Sequence, residues 1–309
     1  MKVLVTGGAG FIGSHVVDRL LDENVEVAVV DMSGDNRWEN SNVTYYEMNI
    51  LDSGLRNIIE HEKPDIIYHL AAQISVTRSI ADPIADANVN IVGTLRILQC
   101  AVKYKVKKII FASSASVYGK PDYLPIEETH PIQPTSFYGI SKSAAETYIR
   151  LYRELYGLNY SIFRFSNVYG PRQASDGEAG VISICLNKIS ENLPFTIYGD
   201  GTQTRDFIYV KDVAEACVMA SSLSGSHTIN VSSGKKVSLN MLIELLAENA
   251  GISTIVNYRN KKPGDIAHSC LQNDLARKLL QWKPKYRLEE GLAETYAHIN
   301  EMRFYTTGN

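Results

Sequence analysis

A chain of 309 residues, 45% hydrophobic and 21% charged, has the make-up of a globular protein able to bury one large core or two ordinary ones. Its formal net charge of −3 argues against nucleic acid or an anionic membrane as partner, so an anionic ligand has to meet a local cluster of positive charge. The four cysteines, Cys100, Cys185, Cys217 and Cys270, make no CxxC or metal spacing, which disfavours a disulfide framework and a metal site and leaves buried free thiols as the expectation.

In chain order, the apolar run KVLVT (2–6) meets a glycine cluster that opens an amphipathic stretch at 11–23. Gly7, Gly10 and Gly13 form GxxGxxG, a variant of the dinucleotide fingerprint. Glycines there permit a tight turn, close approach of backbone to a pyrophosphate, and close helix–strand packing. The next strand, VEVAVVD (25–31), ends in Asp31. A carboxylate about 20 residues beyond the glycines accepts hydrogen bonds from the adenosine ribose hydroxyls and repels a 2′-phosphate. Taken singly, the glycines read as a turn and Asp31 as a strand-end residue. Together they predict a bound NAD rather than NADP.

Strands follow at VTYYEM (43–48), DIIYHL (65–70), KKIIFASS (107–114) and NYSIFRFSN (159–167), separated by helical periodicity at 52–61, 86–104 and 138–156. Strands alternating with helices predict a doubly wound parallel sheet, Rossmann-type, with right-handed crossovers. The pattern loosens at NVYGPRQASDGEAG (167–180), a polar, glycine-rich loop of the kind that carries binding function. Helices are expected at 179–192, 212–223, 238–250, 273–280 and 288–302. The predicted organisation is a dinucleotide domain over 1–167 and a smaller α/β part over 168–309. HTINVSS (227–233) is a candidate to return to the main sheet. No apolar run approaches the roughly 18 residues of a membrane span, and the opening MKVLVTGG lacks a signal-peptide pattern; a cytoplasmic protein is expected.

Tyr-x-x-x-Lys occurs three times, at Tyr104/Lys108, Tyr138/Lys142 and Tyr258/Lys262, so the motif alone decides nothing. Context selects one pair. Ligands of a doubly wound sheet sit outside the carboxyl ends of its strands, and ASSASVYG (112–119) closes the fifth strand, placing Ser113, Ser114 and Ser116 at that rim. Tyr138 starts the next helix on the same rim, with Lys142 one turn further along its face. A free phenol titrates near 10, too high for a base at neutral pH. A lysine ammonium and an oxidised nicotinamide ring, both positive, are expected to lower it, with a serine hydroxyl sharing the proton. Tyr104 and Tyr258 lack this setting and read as a helix-end and a loop residue.

These motifs, with HLAAQ (69–73), SSASVYG and YGISK, resemble the extended short-chain dehydrogenase/reductase family. NVYGPRQ, GEAGVI (177–182), IYGDGTQTRDFIYVKDVAEA (197–216) and KPGD (262–265) are similar to its UDP-glucose 4-epimerases of bacteria and archaea, and the likeness runs from residue 1 to about 300. The resemblance implies that Tyr138, Lys142 and Ser114 are catalytic, with Ser114 and Tyr138 also touching the substrate. It implies that Gly7, Gly10, Phe11, Ile12, Gly13 and Asp31 hold the pyrophosphate and ribose. Asn49 and Ile50 fall where such enzymes hold adenine, usually with Asp-Ile, so Asn49 is a departure. Leu70, Ala71 and Ala72 match a wall beside ribose and nicotinamide, Asn90 a helix residue nearby, and Phe165 a nicotinamide neighbour that is often Tyr.

By the same resemblance Asn167, Val181, Thr196, Tyr198, Arg205 and Asp265 hold a UDP group. Arg205 is the natural diphosphate partner, against the alternative of a salt bridge to Asp206 or Asp212. Lys262 stands where a second arginine is usual, which implies retained but weaker phosphate binding. The implied activity is 4-epimerisation of a UDP-sugar by hydride transfer to and from tightly held NAD. Sugar-nucleotide dehydratases of the family need an Asp-Glu pair after the catalytic Ser/Thr, and decarboxylases keep the Glu. Here Ala115 and Ser116 stand in those places. Ser269, four residues after Asp265, replaces a bulky side chain that can exclude N-acetyl groups. Epimerisation of another UDP-sugar, an alcohol dehydrogenase and a non-catalytic redox sensor are the rival readings. A homodimer packed through the helices at 88–104 and 139–156 is implied; Tyr148, Tyr152 and Tyr156 suit either that interface or the core.

Overall fold

The computed structural model describes residues 1–38, 42–174, 180–191, 193–252, 255–261 and 266–307, with side chains as far as Glu301. Six strands lie in the first half: β1 (Lys2–Thr6), β2 (Glu26–Asp31), β3 (Val43–Glu47), β4 (Ile66–His69), β5 (Lys108–Ser114) and β6 (Asn159–Phe165). With His227–Val231 they make one seven-stranded sheet in the order 227–231, β6, β5, β4, β1, β2, β3. Every pairing is parallel. The strand 227–231 thus returns to the main sheet beside β6, across any boundary drawn at 167.

Strand interiors such as Leu4, Val29, Ile67 and Ile109 are fully buried, because helices cover both faces of a parallel sheet. One face carries α1 (Phe11–Asp22); the other carries α2 (Leu55–Glu62), α5 (Thr94–Lys103) and α6 (Phe137–Tyr156), preceded by the short α3 (Val76–Ala81) and α4 (Pro83–Ala87). The single helix expected over 86–104 is therefore wrong in detail. Helix begins at Val76, breaks at Pro83, and runs through a π-helical turn at Asn88–Gly93 before α5. Proline at the first position of α4 and the capping side chains of Ser75 and Asp82 explain the early start.

The C-terminal part contains α7 (Val181–Ser190), α8 (Val210–Met219), α9 (Leu239–Ala250), α10 (Asp274–Leu280) and α11 (Leu288–Thr307). It also holds three two-stranded pairs, 167–169 with 207–209, 204–205 with 237–238, and 195–198 with 256–259. Tyr258, expected in a loop, lies on the last of these strands. The predicted strand 159–167 ends at Phe165, and Asn167–Tyr169 peels away to pair with Phe207–Tyr209. α8 packs back on α1. The four cysteines are free thiols, three of them buried and Cys100 half-buried.

Candidate active site

Beyond β1 the chain turns at Gly7, φ +71°, whose amide bonds the Val30 carbonyl at 2.9 Å. A Cβ on Gly7 would lie 2.6 Å from the Ala71 nitrogen, and one on Gly13 would lie 1.9 Å from the Gly7 carbonyl oxygen. Backbone meets backbone at both places, so only glycine fits. α1 starts at Gly10 without a side-chain cap, which leaves its first amides open to an anion. Asp31 ends β2 with Oδ2 accepting from the Ala9 amide at 2.9 Å and Oδ1 from the Ser33 amide at 3.0 Å. Those bonds fix the carboxylate and leave lone pairs for hydroxyl donors.

The glycines border a cleft along the carboxyl ends of the strands. Gly7, Gly10, Phe11, Ile12, Gly13, Asp31, Asn49, Ile50, Leu70, Ala71, Ala72, Tyr138, Lys142 and Phe165 all line it. Asn90 does not. Nor does Ser114, although its neighbour Ser113 does. Asn49 spends Oδ1 on the Leu51 amide at 2.9 Å, so its acceptor for an adenine amine is already shared. Met32, Met48, Ile74 and Val89 also line the cleft and were not singled out in the sequence. Two of them are immediate neighbours of Asp31 and Asn49, a placement that could have pointed to them.

Tyr138 sits in the first turn of α6. Ser136 caps that helix by accepting from the Gly139 amide at 3.1 Å, and the Tyr138 amide donates to Ser79 Oγ at 3.1 Å. A Cβ on Gly139 would fall 2.7 Å from the Ser116 carbonyl oxygen, so glycine is what lets α6 press against the end of β5. Lys142 is buried; its ammonium donates to the Ala112 carbonyl at 2.9 Å and lies 6.0 Å from the centre of the Tyr138 ring. Burial pushes the Tyr138 phenol up to about 12, opposed by its hydrogen bond with Ser114 and reinforced by Asp86. Burial brings Lys142 down to about 8, opposed by Asp86 and Glu146. The expected lowering of Tyr138 is therefore not a property of the bare protein. Desolvation of the phenolate outweighs the Ser114 hydrogen bond that favours it, so added positive charge at the site would be needed to bring the phenol down.

Under the cleft lies a polar layer that the sequence did not reveal. Asn90 Oδ1 accepts from the Gln73 amide at 2.9 Å, and its Nδ2 donates to the Gln73 carbonyl at 2.9 Å, to Asp86 Oδ1 at 3.1 Å and to Ser141 Oγ at 3.0 Å. Asn90 thus fastens the 70–73 wall to α6 from beneath. Glu146 takes the Ser113 hydroxyl at 2.6 Å and a two-point contact from Arg164. His69 is wedged between Thr6 Oγ1 at 2.8 Å and Thr94 Oγ1 at 3.0 Å, neutral because burial, then Lys142, holds it near 3.

Among the described residues, Asn167, Val181, Thr196, Tyr198 and Arg205 of the substrate side lie after β6, and none of these five lines this cleft. Asn167 is exposed at the start of its strand, where its amide and Nδ2 both donate to the Asp206 carbonyl. Val181 begins α7; Thr196 and Tyr198 are half-buried on one strand, and Arg205 on another. The two acids named as rival partners of Arg205 are engaged elsewhere. The Asp206 carboxylate accepts from Ser166, Ser233, Gly234 and Leu271, and Asp212 from the Lys285 and Tyr286 amides. Lys262 and Asp265 lie outside the described residues, as do 177–179 of GEAGVI.

Residues 3–232 match the model of the NAD dependent epimerase/dehydratase family. The chain belongs to that family. A UDP-glucose 4-epimerase of Mycolicibacterium smegmatis is 40% identical over 96% of this chain and 97% of its own length. A crystal structure of the Thermotoga maritima UDP-glucose 4-epimerase with UDP-glucose superposes with a TM-score of 0.94 at 39% identity, covering 98% of this chain and all of that one. A UDP-N-acetylglucosamine 4-epimerase of Methanobrevibacter ruminantium, in complex with UDP-N-acetylmuramic acid, gives 0.93 at 35% identity over 97% and 98% of the two chains. The family's NAD fits the cleft physically. Side-chain-free backbone at Gly7 and Gly13 forms a cradle that any Cβ would fill, and Asp31 stands at the β2 end with acceptor capacity left.

Proposed function

We propose that this protein is a UDP-glucose 4-epimerase, interconverting UDP-galactose and UDP-glucose. The observation that carries the reading is the charge inventory of the cleft: Tyr138 and Lys142 line it, and among the described residues that line it the one carboxylate is Asp31, at the β2 end. Ala115 and Ser116 supply no acid or base beside Ser114. Such a site can take a proton from an alcohol and return it, but it lacks the groups for elimination.

In this reading Tyr138 removes the proton of the sugar's C4 hydroxyl, and Ser114 shares that proton through its hydrogen bond with the phenol. Lys142, anchored on the Ala112 carbonyl, supplies fixed positive charge. NAD, when bound, supplies the acceptor and then the donor of the C4 hydride. Gly7, Gly10, Phe11, Ile12, Gly13 and Asp31 hold its pyrophosphate and ribose; Asn49, Ile50, Leu70, Ala71, Ala72 and Phe165 enclose the rest, with Asn90 supporting that wall. Residues 1–167 and the strand 227–231 form this cofactor unit. The remainder of 168–309, with Asn167 at its border, holds the UDP group through Asn167, Val181, Thr196, Tyr198, Arg205, Lys262 and Asp265. Strong diphosphate contacts with few sugar contacts let the 4-keto sugar present its other face before the hydride returns.

Exposed apolar side chains on α6 (Ile140, Tyr148, Leu151, Leu155, Tyr156), with Val92 on the neighbouring turn, support a homodimer through this surface. Tyr152, which packs on the core, is the exception among the tyrosines. Free thiols, and no helix among the described residues long and apolar enough to cross a membrane, support a cytoplasmic location. A second reading, turnover of UDP-N-acetylglucosamine as well, is favoured by the small, half-buried Ser269, whose amide bonds the Thr204 carbonyl next to Arg205.

The test is incubation of the purified protein with UDP-galactose and no added NAD, followed by chromatography of the nucleotide sugars. Appearance of UDP-glucose supports both the reaction and a retained cofactor. No conversion, even with NAD supplied, sinks the proposed substrate. Failure to convert UDP-N-acetylglucosamine removes the second reading.

A further inference from the structure

We propose that Asp86, on α4 and outside the cleft, is the counter-ion of Lys142 and sets the charge of the Tyr138–Lys142 couple. The inference rests on the reading of that pair as the acid–base couple, and it concerns a positioning residue.

Asp86 is 1% exposed. Its Oδ1 accepts from Gln73 Nε2 at 2.7 Å and from Asn90 Nδ2 at 3.1 Å, and both donors are neutral amides. The Asn90 amide also donates to Ser141 Oγ at 3.0 Å, and the Ser141 hydroxyl donates to the Tyr138 carbonyl at 3.0 Å. A single amide therefore separates the carboxylate from the first turn of α6. A buried carboxylate bonded by neutral groups needs a cation within range to offset its lost hydration. Lys142, 3% exposed, follows Ser141 directly on α6, and its own hydrogen-bond acceptor, the Ala112 carbonyl, is likewise neutral. The charge of Asp86 acts on both members of the couple, raising Lys142 and Tyr138 together.

Other charged groups around Lys142 are committed elsewhere. Glu146, one turn along α6, also raises Lys142 but is bound by Arg164 of β6, Arg150 and the Ser113 hydroxyl. His69 of β4 is neutral at working pH. Arg78 of α3 is exposed. On α5, Arg96 bonds the Leu51 carbonyl, Lys103 lies over the Tyr104 ring, and Cys100 is a thiol that burial pushes up. Lys108, at the opposite end of β5, is spent on the Ala220 and Leu223 carbonyls. The turns 88–93 and 115–117 carry no titratable side chain.

Removing the negative charge at 86 leaves the ammonium less stabilised and the phenolate less opposed, so both groups titrate at lower pH. Lost packing alone would lower activity without moving either midpoint in that coordinated way. The decisive measurement is a carbon-13 NMR titration of lysine-labelled, cofactor-free protein, with the Lys142 signal identified by its loss in Lys142→Arg. The wild-type midpoint is expected near 8. In Asp86→Asn, which keeps a carbonyl acceptor for Gln73 and Asn90, it is expected lower by about one unit or more. The pH–rate profile of the NAD-loaded enzyme should move to lower pH as a whole. Asp86→Ala should shift the Lys142 midpoint the same way, with a lower melting temperature. A midpoint unmoved in both variants overturns the proposal. The NMR signal needs no turnover, so an enzyme inactive on UDP-galactose would sink the epimerase reading without deciding this one.

Discussion

Glu146 and Arg164 meet as a two-point ion pair, Nε to Oε1 at 3.0 Å and Nη2 to Oε2 at 2.7 Å, with the carboxylate fully buried and the guanidinium nearly so. The pair joins α6 to β6, and through Ser113 and Tyr118 it also reaches β5 and Asn230 of the 227–231 strand. Breaking a buried pair strands the surviving charge, so Glu146→Ala and Arg164→Ala should each cost about 3–5 kcal/mol in urea unfolding. Arg150 touches the same carboxylate from a half-exposed position; Arg150→Ala should cost less than about 1 kcal/mol. Equal losses from Arg150 and Arg164 would contradict this account.

Gly13→Ala places a Cβ on the Gly7 carbonyl oxygen, and backbone cannot swing aside as a side-chain tip can. The turn must open, and NAD affinity is expected to fall by at least on the order of tenfold, about 1.4 kcal/mol. Calorimetric titration of stripped protein with NAD measures it. Gly157→Ala is the contrasting control: that glycine, at φ +74°, meets no atom within 4 Å and lies at the far end of α6. It should cost some stability and leave NAD binding intact.

The pH–rate profile follows from Tyr138 and Lys142. In the proposed mechanism the NAD-loaded enzyme needs the phenolate and the ammonium together, so activity should fall on the acid side as the phenol regains its proton. On the alkaline side it should fall from about 8, where Lys142 loses its own. Tyr138→Phe should lower kcat by roughly 10²–10⁴-fold while NAD stays bound. A rate that keeps climbing well above pH 8 would show that Lys142 is not needed in its charged form.

Two buried histidines govern stability in acid. Burial lowers His15 to about 4, against its bond with the Pro171 carbonyl, and lowers His69 to about 3. Unfolded histidine titrates near 6.5, so between that pH and the folded values the unfolded chain binds more protons. Stability is fully present above about 6.5 and is lost as the pH falls through that window. Melting temperature should drop steadily from pH 6.5 to 4, and less steeply in His15→Gln. An identical slope in the variant would remove His15 from the explanation.

Much of the cofactor half was legible because its signals are local. Strand, turn and helix N-terminus are adjacent in sequence, so Gly7, Gly10 and Gly13 announced the cradle. The hydrophobic runs fixed the strand–helix alternation, and the place of Tyr138 and Lys142 just after the fifth strand singled their pair out from two others of the same spacing. The helix register around Asn90 was misread because a π turn and a proline break have no hydrophobic signature of their own. The raised phenol of the bare protein was not legible for a different reason: desolvation is set by what packs over Tyr138, and no local spacing encodes it. Asp86, Gln73, Glu146 and Arg164 came from segments far apart in the chain, and only the sheet order places them under one cleft.

The sequence by itself determined the doubly wound class, the glycine turn after β1 and the shared helix face of Tyr138 and Lys142, since each depends on residues within a few turns of one another. Tertiary structure alone decided that 227–231 joins β6, that Asn90 supports the cleft instead of lining it, and that a buried carboxylate on α4, Asp86, is tied through Asn90 to α6. Those outcomes depend on burial and on long-range packing, where the cost of desolvating a charge is fixed by neighbours the chain brings in from elsewhere.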